Sequence, residues 1–320
     1  MDGITNSEIE IGIDTGGTFT DVVCFRGGRP VGVTKVPSTP SDPCIAILDA
    51  LDNLKQQWDV SPSDVGHFAH GTTVATNALI ERKGGCVGIL ATEGFSDVIE
   101  IGRQMRRRLY EATLTPETPV FLAPGGRRKG VVERVASDGT VLVPLDEASV
   151  RTAARELIDA GVDSIAICFL FSFLHPTHER RARDIVVAEF PAIKVSISSD
   201  IDPTFREYER TAVTAFDAYV KPVVDDYLER LQRELKDVGM ANEPKIMQSR
   251  GGMSAVTIAR QRPVRLFLSG PAAGVVGAAE VSHGLGVNDL ISVDIGGTSS
   301  DIALINGGRP TLRSEGEIEG

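Results

Sequence analysis

One short motif occurs twice in this chain and limits the folds that the chain can adopt. The octet DTGGTFTD occupies residues 14–21, and DIGGTSSD occupies residues 294–301, an offset of 280 residues. The match extends to GGRP at residues 27–30, which recurs at the same offset at residues 307–310. Apolar runs flank each octet, so each copy is predicted to form a strand, a tight glycine turn and a second strand. Two such hairpins indicate two related half-domains that face one ligand.

The residue types of the octet are typical of an anion site that includes a metal ion. Adjacent glycines permit positive φ angles and lack the Cβ atoms that would hold the backbone away from a bound group. Successive peptide N–H groups in such a turn form an anion-binding concavity, and the threonine hydroxyls add donors. Asp14 and Asp294 would repel a bare phosphate, whereas a hard cation such as Mg²⁺ can bridge carboxylate and phosphate oxygens. The alternative is that both octets are ordinary hairpin turns that require glycine.

Composition argues against several functional classes. The 320 residues are 42% hydrophobic and 24% charged, which is typical of a soluble globular protein of about two domains. The net charge of −11 argues against a general nucleic-acid-binding protein, which would display a basic face. No apolar run has the length of a membrane span, and the N-terminus lacks the pattern of a secretory signal. The four scattered cysteines are typical of reduced thiols in a cytoplasmic protein.

Three other segments that contain glycine are candidates for ligand contacts. HGTT at residues 70–73 lies between a predicted strand and a predicted helix, so its N–H groups and hydroxyls are available to an anion. The alternative for His70 is a core histidine beside a capped helix. Residues 251–252 are both glycine and form a predicted turn after a strand. Gly270 lies where another strand is predicted to meet a helix that Pro271 opens.

Strand and helix patterns alternate along the remaining chain, and this alternation predicts an α/β architecture. Asp146 is predicted to cap a helix that extends to about residue 159 and ends at Gly161. A long apolar strand is predicted at residues 164–173 and a helix at residues 176–190. A longer helical pattern covers residues 204–238, where Pro222 is predicted to kink or split the helix. The basic segment at residues 101–110 is predicted to be a solvated face, although an arginine there is also suited to pairing with a substrate carboxylate or phosphate.

The ordered set of motifs resembles the hydantoinase A/5-oxoprolinase family, within the actin, sugar-kinase and Hsp70-type ATPase superfamily. That family includes N-methylhydantoinase subunits, oxoprolinases and subunits of ATP-dependent acetone and acetophenone carboxylases. The resemblance covers essentially the whole chain. One departure is Arg107, which stands where the family often has proline. The strings that carry the resemblance are IGIDTGGTFTDVV, HGTTVATNALIERKG, IGRQ, ISSDIDPTFREYERTAVTAFDAYVKP, MQSRGGMSA, LSGPAAGVVGAA and DIGGTSSDIALI.

The resemblance implies an α/β fold of the ribonuclease H-like, actin-like ATPase type with duplicated domains. It places a hydantoinase/oxoprolinase N-terminal domain at residues 1–198 and the start of a hydantoinase A domain at residues 199–320, with this second domain incomplete at its C-terminus. Asp14 and Asp294 would be the catalytic residues and would hold Mg²⁺. The residues expected to bind ATP are Gly16, Gly17, Thr18, Thr20, His70, Gly71, Thr72, Thr73, Gly251, Gly252, Gly270, Gly296, Gly297, Thr298 and Asp301.

The implied activity is ATP-dependent hydrolysis of a cyclic amide such as 5-oxoproline or N-methylhydantoin. Phosphorylation of the carbonyl oxygen would activate this unreactive bond, and the protein would supply positioning and charge neutralisation. A ketone carboxylase subunit, a small-molecule kinase and a non-catalytic nucleotide-driven module remain alternatives. The resemblance also implies a B-type partner subunit, an oligomer and a cytoplasmic location, without a nucleic-acid or membrane partner. Family members continue beyond residue 320, so this stretch is expected to need the remaining sequence for activity.

Overall fold

The computed structural model describes residues 9–104, 110, 118–119, 121–295 and 300–312. Helices and strands are mixed along these residues, which confirms the α/β class. The fifteen strands of the described part are β1 (Ile9–Thr15), β2 (Phe19–Arg26), β3 (Arg29–Pro37), β4 (Val65–Thr72), β5 (Val87–Thr92), β6 (Arg128–Val131), β7 (Arg134–Val135), β8 (Val141–Val143), β9 (Ser164–Cys168), β10 (Lys194–Ile197), β11 (Lys245–Met247), β12 (Met253–Ala255), β13 (Leu290–Ile295), β14 (Ser300–Asn306) and β15 (Arg309–Pro310). The nine helices of the same part are α1 (Pro43–Trp58), α2 (Val74–Ile80), α3 (Val98–Ile101), α4 (Glu147–Asp159), α5 (Thr177–Glu189), α6 (Ser198–Ile201), α7 (Glu207–Asp237), α8 (Val256–Gln261) and α9 (Ser269–Gly284).

The chain folds into two compact units. The first unit combines residues 1–81 with residues 224–320, and the second is the intervening segment, residues 82–223. The boundary between them falls within α7. This spatial division differs from the sequential division at residue 198, which concerns family segments and stays a prediction.

Two sheets carry the first unit. The larger has six strands in the order β12-β11-β4-β1-β2-β3. Within it, β1 pairs antiparallel with β2 and parallel with β4, so the end of β1 lies beside the end of β4. The smaller sheet is antiparallel, in the order β13-β14-β15. Helix α1 packs on β1, β2 and β3, whereas α9 contacts strands of both sheets.

The sequence repeat is also a structural repeat. In both copies the first and last aspartates of the octet are direct cross-strand partners in an antiparallel hairpin. The paired glycines at residues 27–28 have φ angles of 57° and 75°, and those at residues 307–308 have φ angles of 57° and 73°. Such a two-residue turn needs positive φ at both positions, which glycine adopts without steric cost. Each copy therefore has the same three strands and the same second turn.

The second unit contains a four-stranded parallel sheet in the order β10-β9-β5-β6. Every residue of β5 and β9 is buried, as is usual for the central strands of a parallel sheet covered on both faces. Helices α4 and α5 pack on this sheet and on each other. The Asp146 carboxylate accepts a hydrogen bond from Ala148 N–H and so caps the N-terminus of α4, as the sequence predicts.

Two local predictions were wrong, and one of two alternatives at Pro222 is excluded. The apolar run at residues 164–173 ends as a strand at Cys168, because Phe171 has a positive φ of 54° and Phe169 N–H donates to the Glu179 carboxylate. The predicted strand before Ser269 is a short 3-10 helix, Pro263–Leu266, and α9 begins at Ser269 rather than at Pro271. Pro222 does not split α7. In the described part of the chain, no helix is long and apolar enough to span a membrane.

Candidate active site

The Asp14 carboxylate lies at the end of β1 against two glycines. Gly71 is its neighbour on β4, and a Cβ added there would lie 2.7 Å from Oδ1 of Asp14. Gly270, in the first turn of α9, approaches the same carboxylate, and a Cβ there would lie 3.4 Å from Oδ1. The missing side chain at Gly71 therefore allows strand β4 to pack closely against Asp14, whereas a Cβ at Gly270 would make an ordinary van der Waals contact.

Asp294 lies on the corresponding strand of the second hairpin and contacts the same helix. A Cβ added at Gly274 would lie 3.8 Å from Oδ2 of Asp294. Gly270 and Gly274 are four residues apart, so they lie on one face of α9. The first aspartate of each octet therefore lies against the same face of α9, at Gly270 and at Gly274.

The two aspartates are close enough to influence each other electrostatically. Asp14 is solvent-accessible as a residue, yet the protein around its carboxyl group raises its pKa by partial desolvation. The negative charges of Asp21 and Asp294 raise the pKa further. All three causes act against the charged form, so the described residues around Asp14 concentrate negative charge that a cation would neutralise.

The first glycine turn is held by Ser38, beyond β3. Ser38 N–H donates to the Thr18 carbonyl at 2.9 Å, and its hydroxyl donates to the Gly16 carbonyl at 2.8 Å. The buried Thr20 hydroxyl lies 3.0 Å from the Ser38 hydroxyl. Neither Gly16 nor Gly17 has a positive φ, so the predicted need for positive φ at these glycines is wrong. The turn instead requires the absence of a side chain at Gly16, where an added Cβ would lie 3.2 Å from the Phe19 carbonyl oxygen.

The turn leaves peptide donors available. Gly16 N–H is occupied, because it donates to the Phe19 carbonyl at 3.0 Å. Within the described residues, the N–H groups of Gly17 and Thr18 have no internal acceptor, and both residues are exposed. Two adjacent free N–H groups are the elements of an anion-binding concavity.

His70 and the two threonines after it make internal hydrogen bonds. His70 Nδ1 donates to the Ile13 carbonyl at 3.3 Å, and the Tyr227 hydroxyl donates to Nε2 at 2.6 Å. Burial lowers the pKa of His70 to about 4, so the imidazole is neutral. The Thr72 hydroxyl accepts from Val74 N–H, and the Thr73 hydroxyl donates to the Thr15 carbonyl. These hydrogen bonds hold β4 and α2 beside β1, so the side chains of His70, Thr72 and Thr73 position the backbone in this structure.

The predicted turn at residues 251–252 is present between β11 and β12 and contacts α9. Gly251 has a φ of 81°, and a Cβ there would lie 2.7 Å from a Val276 methyl group. Gly252 is exposed, and its carbonyl accepts from Gln248 N–H at 2.8 Å. Asp301 lies opposite Asp294 across the second hairpin. Gly296, Gly297 and Thr298 lie outside the described residues, as does Arg107.

Three further residues have a place in this site but lie outside the predicted set of catalytic and ATP-binding residues. Thr15 follows Asp14, and its buried hydroxyl has no internal hydrogen-bond partner. The Ser269 hydroxyl donates to the Thr72 carbonyl at 2.9 Å and joins the start of α9 to the end of β4. Gly274 supports Asp294. The spacing of Gly270 and Gly274 was a signal for the last of these, because it places both glycines on one helical face.

Comparison with known protein families identifies the chain. The family model described as hydantoinase/oxoprolinase N-terminal region matches residues 10–190, and the hydantoinase/oxoprolinase model matches residues 210–320. The chain belongs to the hydantoinase/oxoprolinase family. This membership confirms the resemblance of the ordered motifs.

Individual relatives within the hydantoinase/oxoprolinase family extend the comparison. Caprolactamase subunit alpha of Pseudomonas jessenii is 35% identical over 321 residues, which cover 98% of this chain and 46% of that protein. The crystal structure of the ATP-dependent caprolactamase from the same organism matches 92% of this chain and 43% of that chain, with a TM-score of 0.81 and 36% identity. The nucleotide-free structure of acetone carboxylase matches 97% of this chain and 46% of that chain, with a TM-score of 0.85 and 30% identity. The chain spans less than half the length of each of these relatives.

Proposed function

We propose that this chain belongs to an ATP-dependent amidohydrolase that opens cyclic amides, and that it forms part of the A-type subunit. The observation that carries the proposal is the meeting of Asp14 and Asp294, from two repeated hairpins, on the glycine face of α9. The similarity to an ATP-dependent caprolactamase supports the substrate class, because a caprolactam is a cyclic amide. Phosphorylation of the amide carbonyl oxygen is the activation step that we assign to this class.

The residues of the site fit Mg²⁺ and a nucleotide phosphate. Among the described residues no cluster of three or more His, Cys, Asp or Glu side chains is arranged to hold a metal ion. Two carboxylates are nevertheless sufficient for Mg²⁺, which retains several waters and takes other ligands from substrate phosphates. The crowding of negative charge around Asp14, the unpaired Thr15 hydroxyl and the free N–H groups of residues 17–18 are the features that a cation and an anion together would satisfy. Bound Mg²⁺ would neutralise charge on the transferred phosphoryl group.

The chain's own contribution is to hold the polar groups in position. Asp14 and Asp294 would bind the metal and its water ligands, and Gly17 and Thr18 would donate N–H groups to phosphate oxygens. Gly71, Gly270 and Gly274 would keep the space beside both carboxylates open. Preorganised donors of this kind act without a reorganisation cost at the time of reaction. We also propose that the two hairpins belong to duplicated ribonuclease H-like domains of the actin-like ATPase type.

A ketone carboxylase subunit is the second candidate. The observation that favours it is the match to the acetone carboxylase structure, which has the higher TM-score of the two, 0.85 against 0.81. Both reactions use the same site to phosphorylate a carbonyl-derived oxygen. They differ in the next step. In the amide reaction water attacks the activated substrate, whereas in the ketone reaction a carbon of the substrate attacks an activated bicarbonate.

The test is an ATPase assay of the complete protein with its partner subunit, against lactams, hydantoins and ketones, with and without bicarbonate. We expect phosphate release and a ring-opened product with a cyclic amide, independent of bicarbonate. Ketone turnover that requires bicarbonate would select the second candidate. A stable phosphorylated substrate would instead indicate a kinase, and nucleotide binding without stimulated hydrolysis would indicate a non-catalytic module.

Asp294→Asn provides the first mutational test. It should reduce turnover of the complete protein by at least about a hundredfold, because the amide cannot supply the second negative charge to the metal. The fold should remain, since the substitution is nearly isosteric and Asp294 is exposed. Circular dichroism and thermal unfolding would verify folding. An Asn variant with wild-type turnover would remove Asp294 from the proposed site.

We further propose a B-type partner subunit, an oligomeric assembly and a cytoplasmic location. The relatives named as subunits, caprolactamase subunit alpha among them, support the partner. The four cysteines, all free thiols in the structure, support a reducing compartment.

A further inference from the structure

Helix α2 has a polar side that joins two elements of the candidate site. Thr76 and Asn77 follow Thr73 by three and four residues, so the three side chains lie on one side of the helix. Ala75 and Ala78 are buried and belong to the opposite, apolar side. We call the three polar residues the α2 polar side. Of these, only Thr73 belongs to the predicted ATP-binding set, and Thr76 and Asn77 lie outside it.

The α2 polar side is bonded to the end of β1, where Asp14 lies. The Thr73 hydroxyl donates to the carbonyl of Thr15, the residue after Asp14, at 3.2 Å. The Asn77 side-chain amide donates to the same hydroxyl at 3.1 Å. A threonine hydroxyl has one proton and two acceptor lone pairs, so it can make both hydrogen bonds at once. Helix α2 is therefore held directly beside the Asp14 carboxylate.

The same side of α2 is bonded to the residue that precedes α9. The Thr76 hydroxyl accepts from Leu268 N–H at 3.2 Å. Leu268 is the N-cap residue of α9 and has a left-handed backbone conformation, with a φ of 55° and a ψ of 29°. A leucine adopts this conformation at a steric cost, so contacts with its surroundings must maintain it. The hydrogen bond to Thr76 is one of these contacts.

The position of Leu268 affects the contacts of α9 with both aspartates. Gly270 is two residues further along, and a Cβ there would lie 3.4 Å from Oδ1 of Asp14. Gly274 is four residues beyond Gly270, and a Cβ there would lie 3.8 Å from Oδ2 of Asp294. A displacement of the start of α9 would therefore change how the helix meets the two carboxylates. Displacement of a reacting group by about 1 Å can reduce a reaction rate by about a hundredfold.

We propose that Thr76 is a positioning residue of the phosphoryl-transfer site, because it holds Leu268 in the left-handed conformation and so determines where α9 meets Asp14. Thr76 acts through the backbone of Leu268 and not on the reacting atoms. The inference rests on the proposed function, since it assigns Thr76 to the turnover of ATP with a cyclic amide. A threonine with a purely structural role would contribute to stability and leave the turnover of the folded protein unchanged.

The test is steady-state ATP hydrolysis by the complete protein with its partner subunit, with MgATP and with caprolactam, 5-oxoproline or N-methylhydantoin. Thr76→Val removes the hydroxyl and keeps the shape of the side chain. We expect kcat to fall at least about tenfold, within the range that a displacement of about 1 Å can produce, with an unchanged KM for MgATP. Thr76→Ser retains the hydroxyl and should recover most of the lost turnover. Thr257→Val, at an exposed position of α8, is the matched control.

A second substitution, Leu268→Gly, separates positioning from stability. Glycine adopts the left-handed conformation without steric cost, so it depends less on the hydrogen bond to Thr76. Leu268→Gly should therefore restore kcat several-fold when it is added to Thr76→Val. Hydrogen exchange of the Leu268 amide should also be several-fold faster in Thr76→Val than in the wild type. Circular dichroism and thermal unfolding would verify that each variant is folded at the assay temperature.

The outcomes distinguish this inference from the proposed function. Wild-type turnover of Thr76→Val in an active protein would overturn the role of Thr76 and leave the proposed function in place. A loss of kcat that Leu268→Gly does not restore, or unchanged exchange of the Leu268 amide, would overturn it too, because Thr76 would not act through Leu268. If none of the three amides stimulates ATP hydrolysis by the wild-type protein, the proposed amidohydrolase function fails and this inference fails with it.

Discussion

At the scale of single residues, the site depends on groups that are missing as much as on groups that are present. Gly71 and Gly270 adjoin the Asp14 carboxylate, and Gly274 adjoins Asp294. The lack of a Cβ at Gly71 sets how closely β4 approaches Asp14, whereas a Cβ at Gly270 or Gly274 would be at ordinary contact distance from the carboxylates. The carboxylates themselves repel each other in the absence of a cation, so the site combines tight packing with unneutralised charge.

Gly71→Ala should displace Asp14 and reduce ATPase activity of the complete protein by about a hundredfold, the effect expected when a reacting group shifts by about 1 Å. The physical reason is the distance of 2.7 Å between the added Cβ and Oδ1 of Asp14. Steady-state kinetics gives the measurement. Gly277→Ala is the matched control, because a Cβ there has no neighbour within 4 Å and alanine favours the helix. Unchanged activity of the Gly71 variant would mean that the position of this carboxylate is not critical.

Asp14→Asn should make the nucleotide-free protein slightly more stable at neutral pH. Because the folded-state pKa of Asp14 lies above the ordinary value of 3.8, the charged form costs stability once the pH exceeds the folded pKa. The gain in Tm should be about 2 °C at most, since solvent screens an accessible carboxylate, and it should disappear below pH 3.8, where the wild-type carboxyl is protonated in both states. Thermal scans across pH provide the test, with Asp49→Asn on the exposed side of α1 as control. A loss of stability at neutral pH would contradict the repulsion.

At the scale of secondary-structure elements, α9 and α7 organise their units in different ways. Helix α9 contacts both sheets of the first unit and brings the two hairpins together. In the second unit, the turn of α7 near Pro222 packs against residues 84–85. Pro222 lacks an N–H group and so weakens the helical ladder before it. The carbonyl that loses its helical partner at Pro222 is that of Ala218, four residues earlier. The next carbonyl, that of Tyr219, accepts from Gly85 N–H at 2.7 Å.

Gly85→Ala should destabilise the second unit by about 1–3 kcal/mol, the usual cost of overpacking a filled site. An added Cβ would lie 2.6 Å from Asp163 Oδ1 and 2.9 Å from Pro222 Cγ. Hydrogen exchange at α7, recorded as a function of denaturant concentration, would measure the loss of unfolding free energy. Gly126→Ala in the same unit is the control, because its Cβ would have no neighbour within 4 Å. If both variants unfold at the same denaturant concentration, the packing at Pro222 is looser than the structure indicates.

At the scale of the whole molecule, distant segments of the sequence close the first unit. His70 on β4 accepts a hydrogen bond from Tyr227, which lies 157 residues later in the chain. Burial of this neutral imidazole lowers its pKa to about 4, well below the ordinary value of 6.5. Folding of the unit therefore excludes a proton that the unfolded chain binds in this range.

The stability of the protein should consequently fall as the pH is lowered from 6.5 toward 4. In that window the unfolded state binds a proton at His70 that the folded state does not, so the contribution of His70 is present above pH 6.5 and lost by about pH 4. The total loss from this group is about 3 kcal/mol. The pH dependence of the free energy of unfolding would measure it, and His70→Gln should flatten the slope. His67→Gln, at an exposed position of the same strand, is the control, and a slope unchanged by His70→Gln would contradict the assignment.

Hairpins, helices and family followed from the sequence because they depend on local or ordered patterns. The antiparallel strands that flank both octets, the glycine turn at residues 251–252 and the capped helix after Asp146 each appear in the structure as predicted. Local patterns failed where a tertiary contact ended an element. The apolar run before Phe171 stops being a strand where the buried Glu179 carboxylate takes the Phe169 N–H group.

The sequence by itself determined that two matched hairpins carry aspartates in matched places. Only the tertiary structure decided what those aspartates meet, because cross-element distances depend on how helices pack. It placed Gly71, Gly270 and Gly274 against the carboxylates, and it used His70 as a core side chain rather than an exposed one. It also showed that equivalent residues in the two hairpins have different surroundings. Helix α1 covers the first hairpin, whereas the apolar side chains of the second hairpin are exposed among the described residues. Periodicity reports which residues share a face; packing alone determines what covers it.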